Sequence, residues 1–522
     1  MEIVSYAQSG YQGEIVKVEA DLRRGIPAVD IVGLPDGAVR EARERMRAAI
    51  RNSGLPFPRD RVLINLSPAA LKKEGGAFDL PIALAVLGES EGILTSDNPL
   101  SVLVLGELEL SGVIRPVSLT LAAVSLALEK GVRHCIIPRA NLAEAEHCPT
   151  HNKHVALIGV DTLTEAFHRL AALCKGEEYE AAKADHTRPM EAPCTWEPVE
   201  EGYEEVKGQA LLIRSLTIAA AGGHNLIAWG SPGSGKTLAL RRFPALLPLL
   251  DTERALEVTR IYGLAGISAG EQGLITRAPF REPHQGASLE GMTGGGVRLK
   301  PGEVSLAHGG ALFLDEAAQF KGSVLQSLRG PLETGWVTVS RAGKTERYPA
   351  RFQLLLTMNP CPCGNFGSMN KPCLCAPEAV DRYWKRLSAP LLDRMDIRVA
   401  VTNPGQSMAG EEGENTELLR ARIAVARLRQ WRRNRRYSHY WLNAHLQASH
   451  IDEVCKMESH AQKVYQAAVG KGDLSGRGAH AVCKVARTIA DMADKDLIGE
   501  AELQEALSLH AWGEAAPIFL YA

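Results

Sequence analysis

The sequence has no long apolar run and almost no net charge. None of its apolar segments reaches the roughly 18 consecutive residues typical of a membrane-spanning helix. Its beginning, Met-Glu-Ile-Val-Ser-Tyr-Ala-Gln, has neither a basic n-region nor an apolar h-region. We therefore expect a cytoplasmic protein with no membrane partner. Because the formal net charge is only −2 over 522 residues, any nucleic-acid-binding surface must be a local patch.

Cysteine is also scarce. Four of the ten cysteines fall within fifteen residues, in the loop 361–375, at Cys361, Cys363, Cys373 and Cys375. In a reducing compartment such clustering favours a metal over disulfides, and four thiolates can close a tetrahedral Zn²⁺ site. The Cys-x-Cys spacing is tighter than the commoner Cys-x-x-Cys, so free thiols or a disulfide formed under stress remain alternatives.

The first part of the chain, 1–175, reads as one α/β unit. Asp36 is placed to cap a helix that ends at Gly54, and further helices are predicted at about 77–87, 118–130 and 162–173. Short apolar runs predict the strands 15–18, 29–32, 62–66, 102–105, 135–137 and 155–158. The following stretch, 176–205, has ten acidic and two basic residues with three prolines, which is typical of a solvated linker.

A phosphate-binding motif follows the linker. The apolar run 226–229 predicts a buried strand, and after it come Gly230-Ser-Pro-Gly-Ser-Gly-Lys-Thr237 and an apolar-periodic helix. In such a P-loop, backbone N–H groups surround the phosphates, the lysine reaches the outer phosphates and the threonine offers an oxygen to Mg²⁺. The sequence therefore predicts an ATP and Mg²⁺ site at Gly230, Gly233, Ser234, Gly235, Lys236 and Thr237.

Two later strands are expected to complete this site. The run Ala311-Leu-Phe-Leu ends in Asp315, which suits the Mg²⁺ shell, and in Glu316, which can polarise a water molecule. Leu354-Leu-Leu-Thr-Met ends in Asn359, whose amide suits a sensor of the attacking water or the γ-phosphate. The alternative for Asn359 is an ordinary turn residue before Pro360.

Two segments of this region are candidates for functional projections. The glycine-rich stretch 282–296 predicts an insertion without regular structure. The stretch 336–348 predicts a β-hairpin with Arg341, Lys344 and Arg347 near its tip. These three side chains are candidate DNA contacts, and an ordinary charged, solvated hairpin is the alternative.

Arginines dominate the remaining motifs. Arg394, in Leu391-Leu-Asp-Arg394, stands where an oligomeric ATPase supplies an arginine to the site of the neighbouring subunit, with a surface salt bridge as the alternative. Residues 415–436 hold eight arginines and one acid, which indicates either nucleic-acid phosphates or an acidic neighbouring subunit as partner. The helix that begins after Ser475 offers Arg477 as a second sensor, with Arg487 as the competing choice.

Taken together, these motifs resemble the AAA+ ATPases, in the branch shared by magnesium-chelatase small subunits and MCM helicases. Three motifs of the first 175 residues, beginning at Gly33, Lys72 and Gly106, resemble the Lon-protease-like domain that opens proteins of the ComM/YifB family. With Asn359-Pro-Cys-Pro-Cys-Gly364, nearly the whole chain resembles that family. Ala317-Ala-Gln-Phe departs from the family pattern without affecting the two acids before it.

The resemblance implies an α/β fold with three domains. These are a Lon-protease-like domain at 1–175, an AAA+ P-loop core at 206–402 with the four-cysteine loop, and a helical lid at 403–522. The first domain is expected to be proteolytically inactive, because no serine stands in the Phe78-Asp79 stretch and Leu121 takes the place of the lysine of Lon's Ser–Lys pair.

The resemblance also implies a function. The expected protein is a homo-hexameric, DNA-stimulated ATPase that drives branch migration of single-stranded, forked or branched DNA in homologous recombination and natural transformation. Glu316, Asn359, Arg394 and Arg477 would be its catalytic residues. The alternative is a magnesium-chelatase-type remodeller of a protein complex.

Overall fold

The computed structural model describes the chain apart from residues 74, 95–99, 149–154, 178–193, 199–200, 268–272, 298, 342–343, 367–370, 403–412, 439, 471–473 and 513–522. It forms two compact units. The first comprises Met1–Pro189, Thr252–Ile275 and Glu346–Tyr348, and the second Met190–Asp251, Thr276–Thr345 and Pro349–Ala522. Across the described ranges, no helix is both long and apolar enough to span a membrane.

The opening part of the chain alternates strands and helices. Its strands are β1 (Glu2–Ala7), β2 (Glu14–Arg23), β3 (Val29–Val32), β4 (Arg61–Ser67), β5 (Ser101–Val104), β6 (Glu107–Leu108), β7 (Ile114–Arg115), β8 (His134–Pro138) and β9 (Ala156–Val160). Its helices are α1 (Gly37–Asn52), α2 (Asp79–Ser90), α3 (Thr120–Glu129), α4 (Leu142–Glu146) and α5 (Leu163–Cys174). Asp36 caps α1 as predicted, accepting a hydrogen bond from the backbone N–H of Val39 at 2.8 Å.

These strands form a seven-stranded mixed sheet in the order β3-β4-β2-β1-β5-β8-β9. The sequence pattern did not predict β1, although it lies in the middle of the sheet. Helix α2 is buried along almost its whole length, so its apolar surface serves as the core of the unit rather than as one amphipathic stripe.

The rest of the chain contains the remaining strands and helices. The strands are β10 (Leu226–Gly230), β11 (Phe280–Arg281), β12 (Gly294–Gly295), β13 (Lys300–Pro301), β14 (Ala311–Leu314), β15 (Trp336–Arg341), β16 (Lys344–Pro349), β17 (Gln353–Met358) and β18 (Ile397–Val401). The helices are α6 (Ala210–Gly222), α7 (Lys236–Arg241), α8 (Thr252–Ala265), α9 (Leu289–Thr293), α10 (Glu303–Leu306), α11 (Gly322–Ser327), α12 (Arg329–Thr334), α13 (Pro377–Trp384), α14 (Ala389–Leu392), α15 (Thr416–Asn434), α16 (Ala448–Val454), α17 (Ser459–Gly470), α18 (Gly476–Met492) and α19 (Glu500–His510).

The second unit is built on a parallel sheet in the order β11-β14-β17-β10-β18. The three strands predicted to carry the site, β10, β14 and β17, are adjacent, and their residues are almost all fully buried. Because the strands are parallel, their carboxyl ends meet at one edge, where open α/β sheets bind ligands. Helices α6, α15, α18 and α19 contribute to the same hydrophobic core as the sheet.

The glycine-rich segment 282–296 is more regular than its sequence predicts. Ser288 caps the short helix α9, accepting from the N–H of Gly291, and Met292 anchors that helix in the core. Gly294 then pairs with Pro301 in a small antiparallel ladder. A Cβ on Gly294 would come within 2.4 Å of the Lys300 carbonyl oxygen. The glycines therefore permit close strand pairing instead of preventing regular structure.

Candidate functional site

The loop between β10 and α7 has the conformation that a phosphate-binding loop requires. Gly233 and Gly235 have φ angles of 79° and 81°, in the left-handed region that favours glycine. Gly230 lies so close to the neighbouring strand that a Cβ there would be 2.0 Å from the carbonyl oxygen of Val401. Helix α7 begins at Lys236, so the unpaired N–H groups of its first turn open onto the loop. The loop is therefore a cradle of backbone donors at the carboxyl end of β10.

The lysine of this loop is held by the loop itself. Lys236 Nζ donates to the carbonyl oxygens of Gly230 and Ser231, both at 2.8 Å, and to Ser234 Oγ at 3.1 Å. Burial lowers the pKa of Lys236 to about 8, although the nearby carboxylates of Asp315 and Glu316 oppose that shift. The ammonium is thus already positioned inside the cradle where phosphate oxygens would replace the carbonyls.

Gln209 is a buried contributor to this loop that the sequence pattern did not reveal. Its amide nitrogen donates to the carbonyl oxygen of Ser234 at 2.8 Å and to that of Thr402 at 3.1 Å. It therefore ties the loop to the residue that follows β18. A polar residue just before an apolar helix is too common for sequence reasoning to single it out.

The acid that ends β14 lies beside the P-loop threonine. Asp315 Oδ1 accepts from Thr237 Oγ1 at 2.9 Å and from Thr357 Oγ1 at 2.6 Å. The hydroxyl and the carboxylate are both oxygen ligands, and Mg²⁺ in nucleotide sites is usually held by one or two such groups together with phosphates and water. Thr237 and Asp315 thus fit a Mg²⁺ ion on the phosphates. Thr357 orients the carboxylate and was missed by sequence reasoning, which considered only the end of β17.

The second acid and the predicted sensor lie at the same edge. Glu316 has a φ of 53°, unusual for a residue other than glycine, and its N–H donates to Thr357 Oγ1 at 2.8 Å. Gln285 Nε2 is 3.4 Å from Glu316 Oε2, so the insertion also reaches this carboxylate. Asn359 follows β17 directly, where Met358 is in register with Trp229 of β10. The predicted phosphate, magnesium and water-activating residues of one chain therefore converge.

Arg394 lies at the other end of the strands, where the parallel strand β10 begins. Its carbonyl oxygen accepts from Asn225 Nδ2 at 3.0 Å, and Asn225 immediately precedes β10. The P-loop begins at the other end of that five-residue strand, about 13 Å from the first residue of the strand. Arg394 Nη2 pairs with Glu333 Oε2 at 2.6 Å, and Arg477 Nη2 lies 3.2 Å from Glu333 Oε1. The structure therefore brings the two predicted arginines together, but not with the P-loop of their own chain.

The two candidates for the second sensor differ in environment. Arg487 is fully buried, donates to the carbonyl oxygens of Lys495 and Asp496, and pairs with Asp491 at 3.2 Å. The Arg477 side chain is 42% exposed. With Arg394 it lines a cavity of about 600 Å³. This difference favours Arg477 as the residue available to a ligand and Arg487 as part of the lid core.

The four clustered cysteines converge as a metal site requires. Their Sγ atoms all lie within 4.8 Å of one another, with Cys361 and Cys363 at 3.3 Å and Cys361 and Cys373 at 3.6 Å. A tetrahedral ion with bonds of about 2.3 Å places its sulfurs about 3.8 Å apart. The backbone amide of Asn365 lowers the pKa of Cys363, whereas neighbouring thiols of the cluster raise the pKa of Cys373 and Cys375, so the geometry of the four sulfurs carries the argument for a metal. The donor set therefore fits Zn²⁺; residues 367–370 of the loop lie outside the described ranges.

The four-cysteine loop packs against the P-loop. A Cβ on Gly364 would lie 2.6 Å from the ring of Pro232 in the P-loop, so the backbone of Gly364 is in close contact with that ring. The indole of Trp384 donates to the carbonyl oxygen of Pro360 at 2.9 Å, between the predicted sensor Asn359 and the first cysteine. The loop thus borders the candidate nucleotide site.

The predicted β-hairpin is present as β15 and β16. Arg341, Lys344 and Arg347 are all exposed, and Ser340 and Thr345 bond across the strands at 2.9 Å. The predicted turn at 342–343 lies outside the described residues. The hairpin presents basic side chains, and their role in DNA contact stays a prediction.

The arginine-rich segment has partners that its sequence does not indicate. Arg420 and Arg427 are buried and donate to backbone carbonyl oxygens. Arg429 and Arg433 pair with acids near the end of α18, including Asp491 at 2.7 Å from Arg433. Arg436 pairs with Glu453. The expectation of nucleic acid or a neighbouring subunit as partner is wrong for the first four of these, because backbone carbonyl oxygens and acids of the same chain already bond to them. Both side chains of the Arg436 pair are more than half exposed, so for Arg436 the expectation stays a prediction.

The Lon-like positions of the first unit carry no Ser–Lys pair. Phe78 and Leu121 are buried apolar residues. Asp79 is also buried and accepts two hydrogen bonds from Arg45, at 2.8 and 3.0 Å. These side chains serve the core and a buried ion pair, and the absence of protease activity stays a prediction.

Three family profiles cover most of the chain. The profile described as "Magnesium chelatase, subunit ChlI" matches residues 202–408, "Subunit ChlI of Mg-chelatase" matches 18–141, and "Magnesium chelatase, subunit ChlI C-terminal" matches 413–510. The protein YifB of Escherichia coli (strain K12) is 39% identical over 509 residues, 97% of this chain and 96% of YifB. Competence protein ComM of Haemophilus influenzae is 36% identical over 515 residues, 98% of this chain and 97% of ComM.

A more distant similarity concerns a Lon protease of Chloroflexus aurantiacus. It is 27% identical over 161 residues, which is 29% of this chain and 19% of the protease. With the parallel sheet and the helical carboxyl-terminal region, these similarities confirm the predicted fold class.

Proposed function

Because this chain belongs to the ComM/YifB family of magnesium-chelatase-like AAA+ ATPases, we propose that it is a ring-forming, DNA-stimulated ATPase that drives branch migration. Its ring is a homo-hexamer, and its DNA is single-stranded, forked or branched. One observation carries the proposal. The phosphate-binding residues lie at the carboxyl ends of the strands of one sheet, whereas Arg394 lies at their amino ends, and the basic side chains of the hairpin are exposed. The name of the relative ComM supports a role in natural transformation, through homologous recombination in the cytoplasm.

The chemistry follows from the residues at the carboxyl edge. Lys236 and the loop N–H groups bind the triphosphate of ATP, and Thr237 and Asp315 would hold a Mg²⁺ ion, which would supply positive charge to the phosphates. Glu316 accepts a proton from the attacking water as its oxygen bonds to the γ-phosphorus, and Asn359 orients that water. The bond to the bridging oxygen then breaks, giving ADP and phosphate.

The arginines act on the nucleotide of the neighbouring subunit. Since Arg394 and Arg477 share Glu333 at the edge away from their own P-loop, both are supplied in trans, where they stabilise charge on the transferred phosphoryl group. One chain thus contributes half of each of two sites. Hydrolysis would move the hairpin within the ring and pull DNA by its phosphates.

The four-cysteine loop holds Zn²⁺ in this proposal. Four sulfurs that are close to tetrahedral spacing would close a structural site, and the contact of Gly364 with Pro232 would make that site a support for the P-loop. The ion would then have a structural role beside the nucleotide rather than a role in the reaction.

A second candidate function is a magnesium-chelatase-type remodeller of a protein complex. It is favoured by the three matching family profiles, all of which are described by magnesium chelatase. Both candidates share the ATP site, so only the client distinguishes them.

ATP turnover with and without single-stranded and forked DNA, over a salt series, tests the proposal. We expect stimulation that disappears as salt rises, because phosphate contacts release counterions. Replacing both Arg341 and Lys344 with alanine should weaken DNA binding and reduce the slope of log affinity against log salt by about 1.4 to 1.8. Lys463→Ala, at an exposed site on α17, is the matched control and should behave as wild type.

Two results would decide against the proposal. Turnover indifferent to every DNA favours the remodeller, whereas a hairpin variant with unchanged DNA affinity and salt slope rules out the hairpin as the DNA contact. Glu316→Gln, which should bind ATP without hydrolysing it, shows how much of any turnover comes from contaminants. Movement of a labelled four-way junction in the presence of ATP then tests branch migration itself.

A further inference from the structure

One carboxylate lies between the two arginines that the neighbouring nucleotide would use. Glu333 is near the end of α12, and its two carboxylate oxygens accept from different guanidinium groups, Arg394 at 2.6 Å and Arg477 at 3.2 Å. The Arg394 side chain is 10% exposed, whereas those of Glu333 and Arg477 are 55% and 42% exposed. The shared carboxylate is therefore reachable from solvent while it holds both charges.

The surroundings keep this cluster in place. Arg394 Nη1 donates to the carbonyl oxygen of Pro390 at 2.6 Å, which holds one terminal nitrogen of its guanidinium in place. Ser475 caps α18 and also donates to Asp393 Oδ1 at 2.8 Å, so the helix that carries Arg477 is bonded to the residue before Arg394. The Arg394 guanidinium holds the pKa of Glu333 below its usual range, so the carboxylate is ionised at neutral pH.

Glu333 is also joined to the basic hairpin. Only Thr334 and Gly335 separate it from β15, and the N–H of Trp336 donates to Thr334 Oγ1 at 3.2 Å. Gly335 has a φ of 73°, and its carbonyl oxygen accepts from the N–H of Ala350 beyond β16 at 2.8 Å. The foot of the hairpin is thus closed by hydrogen bonds directly after Glu333. A movement of Glu333 relative to the arginines would displace that foot.

We infer that Glu333 is a positioning residue that occupies Arg394 and Arg477 until the γ-phosphate of a neighbouring nucleotide replaces it. The inference rests on the proposed function, because it takes both arginines to act in trans. A terminal phosphate carries more charge than a carboxylate and forms stronger charge-assisted bonds with arginine, so it can take the arginines from a half-exposed competitor. Release of Glu333 then frees α12 and the foot of the hairpin, which links the state of the nucleotide to the DNA-contacting element.

The test compares Glu333→Gln with wild type in the full-length chain. Without its charge the side chain competes less for the arginines, so turnover in the absence of DNA should rise about two- to fivefold, the range of an exposed ion pair. The ratio of DNA-stimulated to basal turnover should fall by the same factor. Glu333→Asp, which keeps the charge, should restore wild-type behaviour at least in part. In an Arg394→Ala background, Glu333→Gln should no longer raise basal turnover.

Glu505→Gln is the matched control, because Glu505 also accepts two bonds from an arginine, Arg214 at 2.9 and 3.2 Å, on another part of the same unit. It should leave both rates unchanged. Equal losses of basal and stimulated turnover in Glu333→Gln, or no change in either, would overturn the inference. If DNA stimulates neither wild type nor variant, the proposed DNA function fails, while the basal rates still decide the role of Glu333.

Discussion

The ammonium of Lys236 is bonded to uncharged oxygen atoms of its own loop, with the carboxylates of Asp315 and Glu316 nearby. Three oxygen atoms of the loop accept its hydrogen bonds, and burial still lowers its pKa to about 8. The neutral form is therefore within reach of mildly alkaline solutions. Phosphate oxygens would reverse the shift, because nearby negative charge favours the protonated ammonium.

This difference predicts a pH dependence of nucleotide binding. Because the pKa of Lys236 is lower in the free chain than in the complex, binding takes up a proton once the pH exceeds about 8, and the affinity falls by at most about tenfold per pH unit. Titration with a fluorescent ATP analogue between roughly pH 7 and pH 10 measures this slope. Lys236→Arg is the control, since a guanidinium remains charged throughout. A flat profile in the wild-type chain would contradict the prediction.

Thr357 and Gln209 illustrate what single residues contribute beyond the recognisable motif. Thr357 connects Asp315 to the backbone of Glu316, and Gln209 connects the P-loop to the end of β18. Neither touches a reacting atom in the proposed mechanism. Each fixes the orientation of a group that does, and such support is needed for a preorganised site.

At the scale of elements, the cysteine loop is placed to support the nucleotide site. Gly364 contacts Pro232, and a loop closed by metal would hold that contact in place. Loss of the metal would leave a long glycine-containing loop free to move away from the P-loop. The consequence should appear in nucleotide affinity rather than in the chemical step.

We predict about one zinc ion per chain in the wild type, and its loss in Cys373→Ser. ATP affinity should fall together with the metal content, both in this variant and after treatment of the wild type with a chelator. Elemental analysis and nucleotide titration measure the two quantities. Cys174→Ser, outside the cluster, should retain the metal and the affinity. A Cys373→Ser protein that keeps full ATP affinity without zinc would separate the loop from the site.

Helix α15 shows how an element's role depends on what packs against it. Its arginines were expected to face nucleic-acid phosphates or an acidic neighbouring subunit, yet four of them bond to backbone carbonyls or acids of the same chain. An excess of positive charge in one segment indicates an external partner only if no opposite charges pack against that segment in the folded chain. Here Asp491 and Asp494 come from the distant helix α18 and the residues after it.

At the scale of the whole molecule, the proposed site would be complete only in an assembly. The predicted water-activating residues lie at the carboxyl ends of the strands of one parallel sheet, and the two arginines lie at the amino ends. The length of β10 separates them. A head-to-tail ring gives every P-loop the arginines of a neighbour. The proposed ring follows from this separation.

Mixing two inactive variants tests that arrangement. Lys236→Ala should lack nucleotide and Arg394→Ala should lack the arginine, so each alone should show little turnover. A one-to-one mixture should recover about a quarter of the wild-type activity, because that share of interfaces joins an intact P-loop to an intact arginine. Mixing Lys236→Ala with Glu316→Gln is the control and should recover nothing, since both changes affect the same half. Failure of the first mixture would contradict supply in trans.

The sequence alone determined which local elements form and which family they belong to. The Asp36 cap, the P-loop between β10 and α7, and the polar ends of β14 and β17 are local patterns of spacing and hydrophobic periodicity, and the structure has them where they were predicted. Their joint position also followed, because parallel strands bring their carboxyl ends to one edge. The fold class could therefore be predicted, and the roles of the site residues stay predictions.

Only the tertiary structure decided which distant groups meet. It placed Arg394 with Arg477 on Glu333, buried Arg487 among the carbonyls of the lid, and gave the arginines of α15 partners inside the chain. It also paired the glycines that had suggested an irregular insertion. The ion pairs join residues tens of positions or more apart, and the contacts of Arg487 and Gly294 depend on how nearby backbone folds back, and neither leaves a periodic signal in the sequence. Charge and glycine content indicate what a segment can do, whereas packing determines the partner.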